Sequence, residues 1–117
     1  ATVTPERILD ARTGLGTAAR PWGPGEVRSI AVAGRGGVPA NATAVIANMT
    51  ATNTTAWGFL SAWPAGEPQP TSSNLNFLAG QNVPNLVILK LGDDGSISIA
   101  NGPGSANVLL DVMGYVN

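Results

Sequence analysis

Short β-branched or alternating apolar runs recur along the chain, and turn-forming residues separate them. Fifteen glycines and nine prolines supply that punctuation and leave no window for a long helix. The best helical prospect, Leu15 to Arg20, is short and stops at Pro21. The pattern predicts strands near Arg7–Asp10, Val27–Ala33, Ala42–Thr52, Gly58–Trp63, Ser73–Leu78, Asn85–Leu91, Ser96–Ala100 and Asn107–Tyr115. Within Ser96–Ile99 the alternation sends Ile97 and Ile99 to the core. Leu86–Leu89 is apolar at every position, which predicts a central strand covered on both faces. The stretch Leu91–Ser96 holds Asp94-Gly95, a pair that supplies the positive φ angles of a tight hairpin. Pro39, Pro64 and Pro84 bracket strands instead of interrupting them. No internal repeat is visible, and only the first four residues read as a linker. The expectation is a single all-β domain, an antiparallel β-sandwich of jelly-roll or Greek-key type with about eight strands.

Composition narrows the function more than the fold. A chain of 117 residues buries enough surface to hold a core without staples, and it has no cysteine for disulfides or thiolate metal sites. It has no histidine either, which removes the commonest general base, transition-metal ligand and pH switch. Six basic and seven acidic residues leave a net charge of −1, with charged residues at 11%. A chain with no basic stripe argues against nucleic acid, whose binding depends on neutralising phosphates. Its apolar runs fall far short of the ~20 residues that span a membrane, so no membrane insertion is expected. The sequence shows no signal peptide and reads as a mature or excised domain. Its surface falls to Thr, Ser, Asn, Gln and Gly, which suits an extracellular setting.

Several longer phrases are distinctive. Arg7-Ile-Leu-Asp-Ala-Arg12-Thr-Gly-Leu-Gly16 opens the chain, and Val32-Ala-Gly-Arg-Gly-Gly-Val-Pro39 follows. Then come Pro70-Thr-Ser-Ser-Asn-Leu-Asn-Phe77, Gly80-Gln-Asn-Val-Pro-Asn-Leu-Val87 and the closing Asp111-Val-Met-Gly-Tyr-Val116. Over nearly the whole length these resemble an accessory β-module of secreted actinobacterial proteins, one often appended to glycoside hydrolases, peptidases or cell-surface chains. The resemblance implies a secreted or cell-surface location and a carbohydrate- or cell-wall-associated role, with no catalytic residues to carry over. Trp57 stands where that module commonly has a small residue or proline.

The segment Trp57-Gly-Phe-Leu-Ser-Ala-Trp63 offers the first candidate site. Alternation places Leu60 and Ala62 on one face, with Trp57, Phe59, Ser61 and Trp63 on the other. With Leu60 and Ala62 inward, Trp57, Phe59 and Trp63 form an exposed aromatic row on which the C–H faces of a polysaccharide or cell-wall glycan stack. The alternative turns Phe59 and Trp63 toward the core. In Ser73-Asn-Leu-Asn-Phe77, Leu75 and Phe77 point inward and leave Asn74 and Asn76 on the opposite face. Asn is unfavourable in strands, so this pair serves either sugar hydroxyls or the backbone beside an irregularity. The same exposed row is equally able to contact a neighbouring domain or a second copy, giving a structural or adhesive homo-oligomer.

Charged residues supply the second candidate. Asp111 lies between apolar neighbours and needs a cation; Asp10, Arg12 and Asp111 are expected to form a structural ion pair tying the first and last strands, with Arg7 and Arg35 as further partners. The rival is a catalytic carboxylate pair, which no other feature supports. No nucleophile has an obvious base, since histidine is absent and Lys90 is the only lysine. Asp93-Asp94 lacks the spaced carboxylates of a calcium loop, and Gly34-Arg-Gly-Gly37 lacks the Lys-Ser/Thr of a phosphate loop. The sequons at Asn41, Asn48 and Asn53 matter only in a eukaryotic secretory host. The expected protein is not an enzyme and uses no cofactor or metal.

Overall fold

A computed structural model describes residues 1–117. Eight strands fill it: β1 Thr2–Asp10, β2 Val27–Ala31, β3 Ala44–Thr52, β4 Gly58–Pro64, β5 Leu75–Phe77, β6 Val83–Lys90, β7 Ser96–Asn101 and β8 Asn107–Val116. They form two four-stranded sheets, ordered β1-β8-β3-β6 and β2-β7-β4-β5, with every pairing antiparallel. Strand 1 pairs with 8, 2 with 7, 3 with 6 and 4 with 5, so the chain rolls up as one long hairpin of strand pairs. That is the jelly-roll form of the expected β-sandwich. There is no helix, and none long and apolar enough to cross a membrane.

The alternation of β3 shows how the sequence builds this. Val45, Ala47, Met49 and Ala51 are buried, while Ile46, Asn48 and Thr50 between them are partly open. From the facing sheet, Leu60, Ile97 and Ile99 close the same layer with no exposed surface, as the Ser96–Ile99 pattern predicts. Trp22, between Pro21 and Gly23, plugs the core edge: it is fully buried, its Nε1 donates to Ile99 O at 3.0 Å, and the Arg28 guanidinium lies 4.0 Å from its ring centroid.

Three expectations give way. Leu86–Leu89 is not a central strand: β6 is an edge, with Val87 and Leu89 inward and Leu86 and Ile88 exposed at 60% and 72%. Four apolar residues in a row signal burial, but here only alternate ones have a sheet to face. The Asp94-Gly95 turn does form, with Gly95 at φ 79° and Gly95 N–H donating to Gly92 O at 2.9 Å. Yet β6 and β7 belong to different sheets, so it is an arch between layers and not a hairpin. Turn chemistry reverses the chain without choosing the partner of the next strand. Finally, β1 begins at Thr2 and not at Arg7. Its first residues are no linker, because the Ala1 ammonium donates to Tyr115 O at 2.8 Å and Tyr115 N–H donates back to Ala1 O at 2.9 Å. The two termini therefore lie side by side, at the end of the sandwich where β3 starts.

Candidate functional site

The segments 7–16, 32–39 and 111–116 meet in space and tie the strands together. Arg7 Nε and Nη2 donate to Asp111 Oδ1 and Oδ2 at 2.8 and 3.2 Å, spanning β1 and β8. Arg12 donates bidentately to Asp10 at 3.0 and 2.9 Å, and Arg7 Nη1 lies 3.6 Å from Asp10 Oδ2. The expected ion pair of Asp10, Arg12 and Asp111 thus exists as a chain of four groups, and it is Arg7 that crosses the strands. The deeply buried carboxylate is Asp10, at 4% exposure, with Asp111 only half-buried. Hydrogen bonds from Arg12 hold the Asp10 carboxyl below its ordinary pKa against the opposing effect of burial, and bonding to Asp111 raises Arg7. Arg35, from the second segment, donates to Ala31 O at 2.7 Å and to Ile8 O, clamping β1 to β2. Gly16 packs against the same carbonyl of Ile8 and against Arg35, with φ +71°, so no side chain fits there.

The opposite end of the sandwich from the termini carries a different surface. The chain crosses from β3 to β4 through Asn53–Trp57, entering at Asn53 with φ 54°, a left-handed value that Asn tolerates. Two neighbouring loops pin this crossing. On one side Thr54 Oγ1 donates to Leu78 O (2.8 Å) and accepts from Gln81 N–H (3.1 Å), while Gly80 N–H donates to Thr54 O (2.8 Å). On the other, Thr55 N–H donates to Ser105 O (3.1 Å) and Ser105 N–H to Thr55 Oγ1 (2.8 Å). Gly104 permits the second contact, because a Cβ there would stand 2.8 Å from Ala56 Cβ and the φ is +73°. The backbone of this segment is thus held on both flanks, and Trp57 stands out from it with 64% exposure.

Register then assembles its neighbours. Gly58 pairs with Phe77 and Phe59 with Asn76, so Trp57 and Leu78 flank this paired end, the first entering β4 and the second leaving β5. Alternation puts Phe59 and Asn76 on the outer face of the second sheet. Leu78 is 61% exposed, and Phe59 is half-buried against Gly102, where a Cβ would come within 2.8 Å of the ring. Asn76 is exposed, and Ser73 Oγ lies 3.0 Å from its Oδ1, leaving the Asn76 amide N–H groups toward solvent. Residues 52–59, 73–82 and 102–107 contain no charged side chain.

The structure breaks the expected aromatic row at Trp63. Leu60 and Ala62 face the core as predicted, but the other face of β4 is covered too, by the segment after Pro64. Trp63 keeps 7% of its surface, its Nε1 donates to Glu67 O at 2.9 Å, and Ser61 Oγ donates to Ser72 O at 2.8 Å. Trp63 cannot serve as an open stacking platform in this arrangement. Asn74 is likewise committed: its Oδ1 accepts from Ala62 N–H at 2.8 Å and its backbone O accepts from Asn85 Nδ2 at 2.7 Å. It takes the backbone-satisfying role weighed as the alternative. Of the expected ligand-binding residues, Trp57, Phe59 and Asn76 come together, and Leu78 joins them without having been singled out in the sequence.

Comparison with known protein families, curated proteins and solved structures finds no match to this chain.

The two surface hollows lie elsewhere. One, of about 300 Å³, is lined by Ala65–Glu67 with Asp93 and Asp94; the other, of about 320 Å³, runs from Ala40 to Lys90 and Asp93. No three acidic residues converge in a way that could hold a metal ion. Glu26, near Trp22, accepts from Arg20 Nη1 and Arg28 Nε, both at 2.9 Å, and from Gly23 N–H at 2.8 Å. Those bonds, Arg20 first, hold its carboxyl far below the ordinary range. It anchors the loop before β2.

Proposed function

We propose that this chain is a non-catalytic binding module of a secreted or cell-surface protein, and that it holds an uncharged polysaccharide or cell-wall glycan. The observation that carries the reading is Trp57, a large aromatic left 64% open on a backbone fixed from both sides. A soluble domain leaves such a group exposed at some cost in solubility, and a pinned platform binds without a further ordering penalty. Leu78 and Phe59 extend the apolar face by about 6.6 Å along the strand at ~3.3 Å per residue, room for roughly one or two sugar rings. Asn76 supplies amide donors at its rim, the placement of polar groups that orients a stacked ligand. The absence of charge around it favours neutral sugars over anionic ones, and the resemblance to secreted accessory modules points the same way. The fold alone carries no function. With so few converging groups, affinity lies in the micromolar to millimolar range.

The test is retention of the purified chain in gels cast with neutral polysaccharides, and its co-sedimentation with bacterial cell walls. Trp57→Ala should abolish retention while leaving the unfolding midpoint in place. Asn76→Ala should weaken it. Equal retention by Trp57→Ala, or no retention of the parent on any glycan, overturns the reading.

A further inference from the structure

We infer that the free edge of β6 is a self-association surface, on which a second copy of this chain pairs its own β6 antiparallel about a two-fold axis at Val87. The argument starts from the four sheet edges. β1 carries two register irregularities together with Pro5, Glu6 and Arg7; β5 is three residues long and β2 five. These are the devices that keep an edge from pairing. β6 has none of them through its centre: it keeps one register with β3 over eight consecutive pairs, Ala44–Ala51 against Lys90–Val83. It also presents Leu86 and Ile88 to solvent.

Hydrogen-bond direction decides which backbone groups are free. Leu91 N–H donates to Thr43 O at 2.9 Å, so the odd-numbered residues of β6 turn their N–H and C=O toward β3, and the even-numbered ones turn theirs away. Pro84 agrees, since its missing donor falls on the open side. The open groups are therefore the N–H and C=O of Leu86, Ile88 and Lys90 and the C=O of Pro84. Placing the two-fold axis at Val87 sets Leu86 opposite Ile88 of the second copy, each meeting the other's donor and acceptor. Lys90 then falls opposite Pro84, donating to a carbonyl whose own residue has no N–H to waste. Side chains match as well: Leu86 and Ile88 become a cross-strand apolar pair on one face. The only charge on the edge, Lys90, lies at opposite ends of the seam in the two copies and so does not meet itself. A net charge of −1 adds little repulsion. A seam of one strand buries less than the ~800 Å² per partner of a standard interface, so the dimer is weak, with a Kd of micromolar order or above.

Sedimentation velocity from micromolar to millimolar protein tests this. The parent should shift from monomer toward dimer with rising concentration. Leu86→Pro removes only an outward N–H and should raise the Kd at least about tenfold through the two lost bonds. Ile88→Lys should do the same by charging the seam, and as a surface change on an exposed position it leaves folding intact. Val27→Lys, on an exposed apolar position of the other sheet, should change nothing. A parent that stays monomeric at millimolar concentration overturns the proposal. So does association that Ile88→Lys abolishes but a folded Leu86→Pro variant retains, because copies then meet through apolar faces and not through strand edges.

Discussion

Replacing Trp63 by alanine should cost far more stability than replacing Trp57, although the two residues begin and end the same aromatic segment. Trp63 keeps 7% of its surface and Trp57 keeps 64%. An aromatic side chain buries roughly 150–250 Å², which at ~25 cal/mol per Å² is about 4–6 kcal/mol. Residual burial in the unfolded chain trims that by roughly 10–40%. The indole bond to Glu67 O adds little to the loss, because that carbonyl belongs to an exposed residue and water replaces the donor. Partial collapse of the covering segment recovers some of the remainder. The expected cost of Trp63→Ala is about 3–5 kcal/mol, a large fraction of a typical domain's ~5–15 kcal/mol. For Trp57→Ala it is within about 0.5 kcal/mol.

Urea unfolding followed by circular dichroism measures both, with the m-value checking that the transition remains two-state. A Trp63→Ala cost below about 1 kcal/mol would refute the reasoning, because it would mean the segment from Pro64 to Ser73 opens readily. Trp63 would then be accessible in solution and the stacking platform longer than Trp57, Leu78 and Phe59. The contrast also governs how glycan binding is tested: a variant lacking both tryptophans confounds a lost ligand contact with a loosened fold.

Acid should destabilise the chain through Asp10 and Glu26. Their folded pKa values are depressed, so their contribution is complete above the unfolded carboxylate pKa of about 4 and is lost as pH falls through the folded values. Unfolding free energy measured down the acid range should fall below about pH 4, and Asp10→Asn should flatten that slope; an unchanged slope contradicts the Arg12 assignment. Gly104→Ala should cost about 1–3 kcal/mol from its φ of +73° and weaken glycan retention by displacing Ala56 beside Trp57. Retention that survives a measurable destabilisation would separate Trp57 from its loop support. Trp22→Phe should cost about 1–3 kcal/mol in chemical denaturation, for the lost indole bond to Ile99 O and for smaller volume in a fully buried place.

How much of this the sequence discloses depends on whether the signal is local. Strand existence is local: alternation in Ser96–Ile99 and in β3, with Gly and Pro between runs, is enough for an eight-stranded sandwich. Strand partnership is not, and both larger misreadings concern it. The turn residues of Asp94-Gly95 are real, yet Gly92 lies against the backbone of Ala65, so the chain passes under β4's end into the other sheet. Leu86–Leu89 looks central because its composition records apolarity and not coverage. The site follows the same division. Exposure of Trp57 is readable from its polar neighbours Asn53, Thr54 and Thr55, whereas burial of Trp63 depends on a loop that packs back over its own strand. Leu78 gives no sign alone; it matters because the β4–β5 pairing ends at Gly58 and Phe77 and leaves it flanking the same end as Trp57. The ion pair is anticipated from the cost of burying a carboxylate, but which Arg crosses from β1 to β8 is fixed by the pairing of Arg7 with Asp111.

The two proposed surfaces have a joint consequence that neither has alone. A two-fold axis at Val87 stands perpendicular to the sheet that holds β6, so it reverses the strands of the second copy but keeps its second sheet on the same side. The outer faces that carry Phe59 and Asn76 then look the same way, with the Trp57 ends set apart along the strand direction. A dimer built this way can place both platforms on one glycan layer, and the second contact forms at the effective concentration set by the first. The signature is avidity. Retention on a dense immobilised layer of neutral glycan should rise more steeply than single-site occupancy once the parent is above the dimer Kd. Ile88→Lys should lower retention to the single-site level without abolishing it, and Trp57→Ala should abolish it. Retention of the parent that matches Ile88→Lys at every concentration would refute the link between the two surfaces.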